Sequence, residues 1–276
     1  MTVGINRPRA IATDLDGTLL RGDSTLSPRT AAALRAARSA GIRVVLATAR
    51  PARVVEQIFA ADDLLDAAIC GNGAVRYDVA ARTLALTHPL ETAVTARVLV
   101  EVTRLVPQVA FAAETGYCVL HEPSYHYRPT FDSERFAVQT RDELITQPLV
   151  KLMALVPQAD PADAWALLRP TLGDLVTCTW SAGYGEADLG YPAILEIGAP
   201  GVSKAAALAT LCAQWSIAPA DVVAFGDAPN DLDMLRWAGT GYAVANGHPA
   251  VLAATPHRVP GNDEDGVAQF IESILR

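Results

Sequence analysis

Cysteine is scarce in this chain of 276 residues and is scattered along it. The four cysteines, none of which belongs to a Cys-x-x-Cys pair, are Cys70, Cys118, Cys178 and Cys212. This spacing predicts neither a structural zinc site nor a disulfide framework. A reducing cytoplasm is therefore the expected location.

Long apolar runs and basic runs are missing as well. No apolar stretch approaches the roughly 20 residues of a membrane-spanning helix, and no apolar segment follows the arginines near the amino terminus. Neither a membrane protein nor a secretory signal is expected. The net charge of −8, without a run of lysine or arginine, argues against a nucleic-acid partner. An anionic substrate stays compatible with this charge, because a metal ion or local positive groups decide its binding.

Hydrophobic residues, in contrast, are abundant. They make up 51% of the chain, against 19% for charged residues, which excludes global disorder. The length suffices for one large domain or two modest domains with buried cores.

The first apolar run, at 10–12, is followed by Asp14, Asp16 and Gly17. Such a run is typical of a buried parallel strand, and open α/β sheets bind ligands beyond the carboxyl ends of their strands. Two carboxylates in a partly dry site resist ionising together, so they require a shared proton or a cation such as Mg²⁺. One aspartate can then act as a nucleophile while the other carries a proton. An ordinary Asp-Gly turn is the alternative interpretation.

Polar residues follow the next two predicted strands in the same way. The strand at 42–47 ends before Thr48 and Arg50, and the strand at 67–70 ends before Asn72. Because helical patterns lie between these strands, we expect βαβ units and a right-handed parallel sheet. Taken alone, Asn72 and the glycine after it would indicate a hairpin turn.

The alternation of strands and helices stops near residue 85 and resumes near residue 199. Between these points, several strand-like runs interleave with two helices and lack polar clusters at the strand ends, which is typical of an inserted α+β unit. The sequence therefore predicts an α/β fold with a Rossmann-like parallel-sheet core formed by 1–84 and 199–276. The inserted α+β domain is expected at 85–198.

The second core segment contributes further polar groups. Lys204 lies at the start of a predicted helix, and a predicted strand ends before Asp227, Asn230 and Asp231. Each residue also has a simple explanation, because a lone lysine in a first helical turn is usually solvated and aspartates favour helix starts. A lone Thr48 would indicate only a local hydrogen bond to the backbone. Their common placement near strand ends and helix starts favours a single site.

Four segments in this order resemble the motifs of the haloacid dehalogenase superfamily of aspartate-nucleophile phosphatases. They are Asp-Leu-Asp-Gly-Thr-Leu at 14–19, Leu-Ala-Thr-Ala-Arg at 46–50, Gly-Val-Ser-Lys at 201–204 and Gly-Asp-Ala-Pro-Asn-Asp at 226–231. Asn-Gly-Ala at 72–74, Leu-Glu-Ile at 195–197 and the insertion before the third motif are similar to the Cof-type phosphatases, which carry a type-two cap. The resemblance covers essentially the whole chain.

This resemblance implies a chemical role for each catalytic group. Asp14 would attack phosphorus and form an aspartyl-phosphate, while Asp16 would protonate the leaving oxygen and later deprotonate water. Thr48 would donate a hydrogen bond to a phosphate oxygen, and Lys204 would place positive charge on the phosphoryl group and on Asp14. Arg50 is a candidate for contacts to the phosphate or the leaving group.

The resemblance also implies a Mg²⁺ cofactor. Asp14, Asp227 and the backbone carbonyl of Asp16 would bind it, and Asp231 would bind it directly or order its waters. Asn230 would position Asp14 or the phosphate. Asn72, like Arg50, is a candidate phosphate or leaving-group contact.

Two departures from the Cof-type pattern affect geometry rather than chemistry. Ala49 stands where glycine is more frequent, and Ala228-Pro229 replaces a pair in which glycine and an acidic residue are frequent. Because Pro229 has a fixed φ and no N–H, we expect a stiffer approach to Asn230.

A polar and aromatic cluster in the insertion has two interpretations. It consists of Glu122, Tyr125, His126, Tyr127 and Arg128. The cluster would either contact the hydroxyls of the leaving group or form a solvated loop.

Together these patterns predict a Mg²⁺-dependent phosphomonoester hydrolase that acts on small soluble phosphates such as sugar phosphates or related metabolites. A sugar-phosphate mutase using the same intermediate is one alternative. A non-catalytic metabolite-binding module is another, although the loss of Asp16 or a metal-binding aspartate that would mark it is not found. The expected partner is a small phosphorylated molecule, and the chain is expected to be a monomer or homodimer.

Overall fold

The computed structural model describes residues 7–59, 64–126, 134–157, 159–181 and 193–276. The chain divides into two compact units. The core unit comprises Met1–Ala85 and Ser203–Arg276, and the inserted unit comprises Leu86–Val202. The inserted unit begins one residue and ends four residues after the bounds expected for the insertion, 85–198.

Strands and helices alternate along the first part of the core unit. These elements are β1 (Ala10–Thr13), α1 (Pro28–Ser39), β2 (Arg43–Ala47), α2 (Ala52–Phe59), β3 (Ala67–Cys70), β4 (Val75–Asp78) and β5 (Thr83–Leu86). The inserted unit contains α3 (Thr92–Leu105), β6 (Ala110–Glu114), β7 (Val119–His121), β8 (Arg135–Ala137), β9 (Lys151–Val156), α4 (Pro161–Leu172), β10 (Thr177–Ser181) and β11 (Ala193–Gly198). The rest of the core unit contains α5 (Lys204–Gln214), β12 (Val222–Gly226), α6 (Leu232–Trp237), β13 (Thr240–Val244), α7 (Pro249–Ala254), β14 (His257–Val259) and α8 (Gly266–Leu275).

The core sheet has the strand order β14-β13-β12-β1-β2-β3-β4-β5. The strands from β14 to β3 are parallel, whereas β4 runs antiparallel to β3. β1 lies between β12 and β2, and its last residue, Thr13, is in register with Phe225 and Leu46. Because these parallel strands end at the same level, the residues that follow them meet at one edge of the sheet.

Local sequence signals fix where the helices of the core unit begin. The Ser27 side chain accepts a hydrogen bond from the Thr30 N–H, and Pro28 occupies the first turn of α1. The Ser203 side chain likewise accepts a hydrogen bond from the Ala206 N–H, so that α5 begins at Lys204. These caps satisfy amide groups that have no partner inside the helix.

Helix α5 packs on the core sheet through an apolar face. Leu208 and Leu211 from the helix join Val45 and Ile69 from the sheet in one buried cluster. This contact anchors the helix whose first residue is Lys204. Packing therefore decides where the ammonium group of that lysine lies.

The inserted unit has a six-stranded sheet in the order β10-β11-β9-β6-β7-β8. Most of its neighbouring strands are antiparallel, and β7 and β8 are parallel. One face of this sheet packs on α3 and α4, with Phe111, Leu152 and Leu195 meeting Val98 and Leu168. The predicted combination of a parallel-sheet α/β core with an inserted α+β unit is confirmed.

Several element predictions differ from the structure in detail. The helix predicted to start near Lys204 begins at that residue, and an unpredicted short 3₁₀ turn, Pro229–Asp231, precedes α6. Strands β8 and β14 and helix α7 were not predicted; each has only three to six residues. Within the described part of the chain, no helix combines the length and apolar character needed to cross a bilayer.

Candidate functional site

Four neighbouring strands of the core sheet end in polar residues, as the sequence predicts. Asp14 follows β1, Thr48 follows β2, Asp227 follows β12, and Asn72 lies two residues after β3. The Asp14 N–H still donates to the Phe225 carbonyl at 3.0 Å, and the Thr48 N–H donates to the Ile69 carbonyl at 2.8 Å. The backbone at these positions is therefore held by the sheet itself.

Lys204 links two of the predicted carboxylates. Its Nζ donates hydrogen bonds to Asp14 Oδ1 at 2.5 Å and to Asp231 Oδ1 at 2.7 Å. The lysine is 1% exposed and Asp231 is fully buried. A solvated lysine, the alternative that the sequence left open, is excluded by this burial.

Asp14, Asp227 and Asp231 form the acidic part of the site. One carboxylate oxygen from each lies within 4.8 Å of those from the other two. The Thr18 hydroxyl donates to Asp227 Oδ1 at 2.7 Å, and Asp231 Oδ2 accepts from the backbone N–H groups of Asp227 and Ala228. These hydrogen bonds orient the carboxylates toward one another, although like charges repel.

Burial and charge shift the ionisation of this cluster. Burial raises the pKa of Asp14 well above its ordinary value, and nearby Asp231 and Asp227 add to this rise while Lys204 opposes it. Burial and Asp231 raise the pKa of Asp227 to about 6. Burial alone would lower the pKa of Lys204, but Asp14 and Asp231 outweigh it and raise that pKa. Lys204 is therefore a permanent cation that only partly offsets the three carboxylates.

The donor set fits Mg²⁺. Hard divalent cations prefer carboxylate oxygens, and the three aspartates supply such oxygens in excess over the one ammonium group. A cation at this position would offset the repulsion that raises the pKa values of Asp14 and Asp227. Asp14, Asp227 and Asp231 are the side chains that would hold it.

The side chain of Asp16 has a different partner. Arg50 Nε donates to Asp16 Oδ2 at 2.7 Å, and Arg50 Nη2 donates to Asp16 Oδ1. Arg50 itself is buried. The sequence assigned Arg50 to the phosphate or leaving group and did not predict this two-pronged ion pair. Its effect is to hold the Asp16 carboxylate in a fixed orientation.

Thr48 connects this ion pair to the end of β2. Its Oγ1 accepts a hydrogen bond from the Arg50 N–H at 3.0 Å. A hydroxyl that accepts such a bond retains its own proton and can donate it to a phosphate oxygen. Thr48 therefore makes the local hydrogen bond that was the simpler explanation for it. This bond does not prevent its hydroxyl from donating to a phosphate oxygen, the predicted role.

Asn72 and Asn230 contact each other across the site. Asn230 Nδ2 donates to Asn72 Oδ1 at 3.1 Å. Asn72 adopts a φ of 56° between the antiparallel strands β3 and β4, so the hairpin alternative is correct as a description of the backbone. The hairpin nevertheless delivers Asn72 to the predicted residues. A Cβ on the next residue, Gly73, would lie 2.3 Å from the Ser203 carbonyl oxygen, so only glycine permits this approach.

Two polar contacts near Gly17 and Asp227 were missed by the sequence analysis. The Thr18 hydroxyl bonds to Asp227, and Asn246 Nδ2 donates to the Gly17 carbonyl at 2.7 Å. Gly17 has a φ of +73°, and a Cβ there would lie 2.6 Å from Asp227 Oδ2. The glycine that follows Asp16 thus marked the turn, whereas no local pattern identifies Asn246.

The polar cluster predicted in the insertion is only partly described. Glu122 accepts hydrogen bonds from Arg141 and from the Phe111 N–H, both within the inserted unit. Tyr125 is buried and His126 is exposed. The remaining members, Tyr127 and Arg128, lie outside the described residues. Glu122 therefore has a structural role, and contact of the cluster with a leaving group stays a prediction.

Comparison with known proteins places these features in a family. A family model described as haloacid dehalogenase-like hydrolase matches residues 11–271. The pyridoxal phosphate phosphatase YbhA of Escherichia coli (strain K12) is 31% identical over 275 residues, which cover 97% of this chain and 98% of that protein. The 5-amino-6-(5-phospho-D-ribitylamino)uracil phosphatase YitU of Bacillus subtilis (strain 168) is 25% identical over 277 residues, covering 98% of each chain.

A solved structure shows the same fold. A protein from Streptococcus mutans UA159 superposes with a TM-score of 0.83 at 23% identity, covering 97% of this chain and 99% of the other. The prediction of a hydrolase of the phosphatase type is confirmed by the family model and by the names of these relatives. The chain thus belongs to the haloacid dehalogenase-like hydrolases, and within them to the Cof-type group that its motifs indicated.

Proposed function

We propose that the protein is a Mg²⁺-dependent phosphomonoester hydrolase that acts on small soluble phosphorylated metabolites. The observation that carries this proposal is the buried contact of Lys204 with Asp14, beside Asp227 and Asp231. A nucleophilic carboxylate needs an adjacent cation both to stay ionised and to accept an approaching phosphate.

Two carboxylates divide the chemistry of the first step. An Asp14 oxygen forms a bond to phosphorus as the bond to the ester oxygen breaks, which gives an aspartyl-phosphate. Asp16 donates a proton to the departing oxygen, so that an alcohol leaves. Arg50 orients the Asp16 carboxylate, and one of its two hydrogen bonds must open before that oxygen can carry the transferred proton.

Water completes the cycle in the second step. Asp16 takes a proton from a water molecule, whose oxygen attacks phosphorus and releases inorganic phosphate and the Asp14 carboxylate. Lys204 balances negative charge throughout, and Thr48 donates a hydrogen bond to a phosphate oxygen. When bound, Mg²⁺ supplies further positive charge for the phosphoryl oxygens. The proposed protein ligands are the Asp14, Asp227 and Asp231 side chains, with the Asp16 backbone carbonyl.

Asn72, Asn230 and Arg50 complete the proposed phosphate environment. The Asn72–Asn230 hydrogen bond supports a role in positioning, because each amide fixes the other's orientation. Arg50 acts mainly through Asp16 in this proposal.

The substrate is proposed as a class. The relatives are named for pyridoxal phosphate and for a phosphorylated ribitylamino-uracil, and another, from Cronobacter sakazakii, is named an HMP-PP phosphatase. Those names support small phosphorylated metabolites, including sugar phosphates, as the first compounds to test. A cytoplasmic location and a monomeric or homodimeric state are part of the same proposal.

The decisive experiment measures phosphate release from a panel of sugar phosphates, nucleotides and vitamin phosphates, with Mg²⁺ or with a chelator. Asp14→Asn is expected to remove release, because the amide is a poor nucleophile and loses its charge contact with Lys204. Asp233→Asn, which changes a carboxylate that is 72% exposed, serves as the matched control. Release that survives both chelation and Asp14→Asn would overturn the proposal.

The same panel separates the alternatives. Interconversion of sugar-phosphate isomers that exceeds the release of free phosphate would identify a mutase. Binding of a panel compound without any turnover would identify a metabolite-binding module.

A further inference from the structure

The core unit contains a cavity of about 650 Å³ at the edge of the sheet opposite the catalytic residues. Arg43, the first residue of β2, and Asp66, which precedes β3, line it, together with Gln214 and Trp215 at the end of α5. The catalytic groups follow the other ends of the same strands. Since β2 has five residues, the two edges are about 17 Å apart at 3.3 Å per residue.

Guanidinium groups are concentrated around this cavity. Four arginines and three carboxylates line it, in a chain whose net charge is −8. The arginines are Arg38, Arg43, Arg76 and Arg82, and the acids are Glu56, Asp66 and Asp78. The formal charge of this lining is +1, against −8 for the whole chain, and this difference favours the binding of anions at the cavity.

Three of the arginines have hydrogen-bond partners within the lining of the cavity. Arg43 Nη1 donates to Asp66 Oδ1 at 2.8 Å, and the same Asp66 also accepts hydrogen bonds from Arg38. Arg76 Nη1 donates to Gln214 Oε1 at 2.8 Å, a neutral amide oxygen that does not offset its charge. Asp66 is thus shared by two cations, while Arg76 adds a third from β4.

Three aromatic side chains line the cavity. Phe59 and Tyr77 are buried, and Trp215 is partly buried with Arg43 lying 5.2 Å from its ring centre. The volume is within the range of pockets that bind metabolites. Rigid aromatic walls with several guanidinium groups suit a ligand that carries a phosphate, because the planar fork of arginine matches two phosphate oxygens.

We propose that this cavity is a second binding site, which takes a phosphorylated small molecule and is separate from the catalytic edge. Arg76 and Arg82 bind the phosphate, and Arg43 and Trp215 line the space for the organic part. The shared chemistry is a phosphate monoester. A sugar phosphate and a nucleotide are its two sources, and the test distinguishes them.

The test uses the fluorescence of Trp215, the tryptophan that lines the cavity. The Asp14→Asn protein is titrated with AMP, ribose 5-phosphate, inorganic phosphate and adenosine, so that no probe is consumed. A saturable change that is absent after Trp215→Phe is expected for at least one phosphorylated probe. AMP binding tighter than ribose 5-phosphate identifies a nucleotide site, and the reverse order identifies a sugar-phosphate site.

Charge variants locate the binding. In the same background, Arg76→Gln/Arg82→Gln is expected to weaken binding at least about tenfold, on the order of one lost charge-assisted hydrogen bond. Arg236→Gln, at a side chain that is 61% exposed and outside the cavity, should leave the affinity unchanged. Unfolding temperatures of all variants check that the core unit stays folded.

Three results would overturn the proposal. One is the lack of any saturable Trp215 signal with the phosphorylated probes. Another is binding of adenosine as tight as that of AMP, which would show that phosphate is not recognised. The third is an unchanged affinity in a folded Arg76→Gln/Arg82→Gln protein. Because no readout depends on turnover, these results are independent of the proposed hydrolase activity.

Discussion

The chain has only two lysines, and each is buried in an ion pair in a different unit. Lys204 in the core unit contacts Asp14 and Asp231, whereas Lys151 in the inserted unit donates to Glu196 Oε1 at 2.6 Å. They are 1% and 7% exposed. The two pairs are alike in burial and hydrogen bonding but differ in their surroundings.

Position in the fold explains the difference. Lys151 lies on β9 and Glu196 on β11, two neighbouring strands of one sheet, so their contact bridges backbone that is already paired. Lys204 begins a helix and reaches the edge where several strands end, and there a third carboxylate, Asp227, joins the cluster. A buried ion pair is therefore weak evidence for catalysis by itself. An excess of carboxylates at converging strand ends is much more specific.

Removing Lys204 should have the largest effect. In Lys204→Met, Asp14 and Asp231 lose their cation, so the phosphoryl group meets uncompensated negative charge. Turnover is expected to fall on the order of 10³-fold, as when a main electrostatic contact is removed. Steady-state phosphate release with Mg²⁺ measures this, and circular dichroism checks the fold. Retention of more than a tenth of the turnover in a folded variant would contradict the role given to Lys204.

Removing Lys151 should lower the stability of the fold and leave turnover unchanged. Lys151→Met leaves Glu196 buried without this cation and is expected to cost about 3–5 kcal/mol of unfolding free energy. The double variant Lys151→Met/Glu196→Met should recover part of that loss, because neither member of the pair remains to be desolvated, whereas the buried Glu114 opposite Lys151 is still present. Urea unfolding of both variants measures this recovery. A double variant as unstable as the single one would show that the pair is more than a replaceable ion pair.

A third ion cluster, formed by Asp66 with Arg38 and Arg43, should contribute a stability that depends on pH. Burial opposes ionisation of Asp66, but hydrogen bonds from the Val44 N–H, Arg38 and Arg43 outweigh it and lower the Asp66 pKa. A lowered pKa means that the folded state holds the proton less tightly than the unfolded state. This stability is therefore present above about pH 4, the ordinary value, and is lost as the pH falls toward the lowered pKa.

Asp66→Asn should remove that pH dependence. The amide still accepts a hydrogen bond but carries no charge, so we expect a loss of roughly 1–2 kcal/mol at pH 7. The loss should shrink as the pH falls below about 4. Urea unfolding at pH 7 and pH 3 gives both values. Asp233→Asn, at a carboxylate that is 72% exposed, is the control for the general effect of removing a negative charge.

Periodicity and capping made most of the fold predictable. Buried runs such as Ala10–Thr13 are long enough to identify as strands, and a serine followed by proline, as at Ser27 and Pro28, is a sequence signal typical of a helix start. Strands β8 and β14 have three residues each, which is too short for alternation to be visible. Their existence depends on pairing with a neighbouring strand, which is a tertiary property.

In the candidate site too, some features could be predicted from the sequence and others depend on tertiary structure. Residues that follow strands, such as Asp14 and Asp227, could be predicted because parallel strands bring their ends together. The partner of each side chain could not, since Arg50 reaches Asp16 and Thr18 reaches Asp227 only after rotamers and backbone turns are fixed. Sequence order thus predicts which groups meet, and packing decides which pairs form.

The burial of both lysines makes the folded protein resistant to reagents that target lysine. Acylation of a lysine side chain, or cleavage by a protease specific for lysine, needs Lys151 or Lys204 to leave its ion pair first. Each unit therefore contains one lysine whose modification requires that unit to open. Cleavage at Lys151 would show that the inserted unit opens, and cleavage at Lys204 would show that the core unit opens. The two events give fragments of different size, so they can be told apart on a gel.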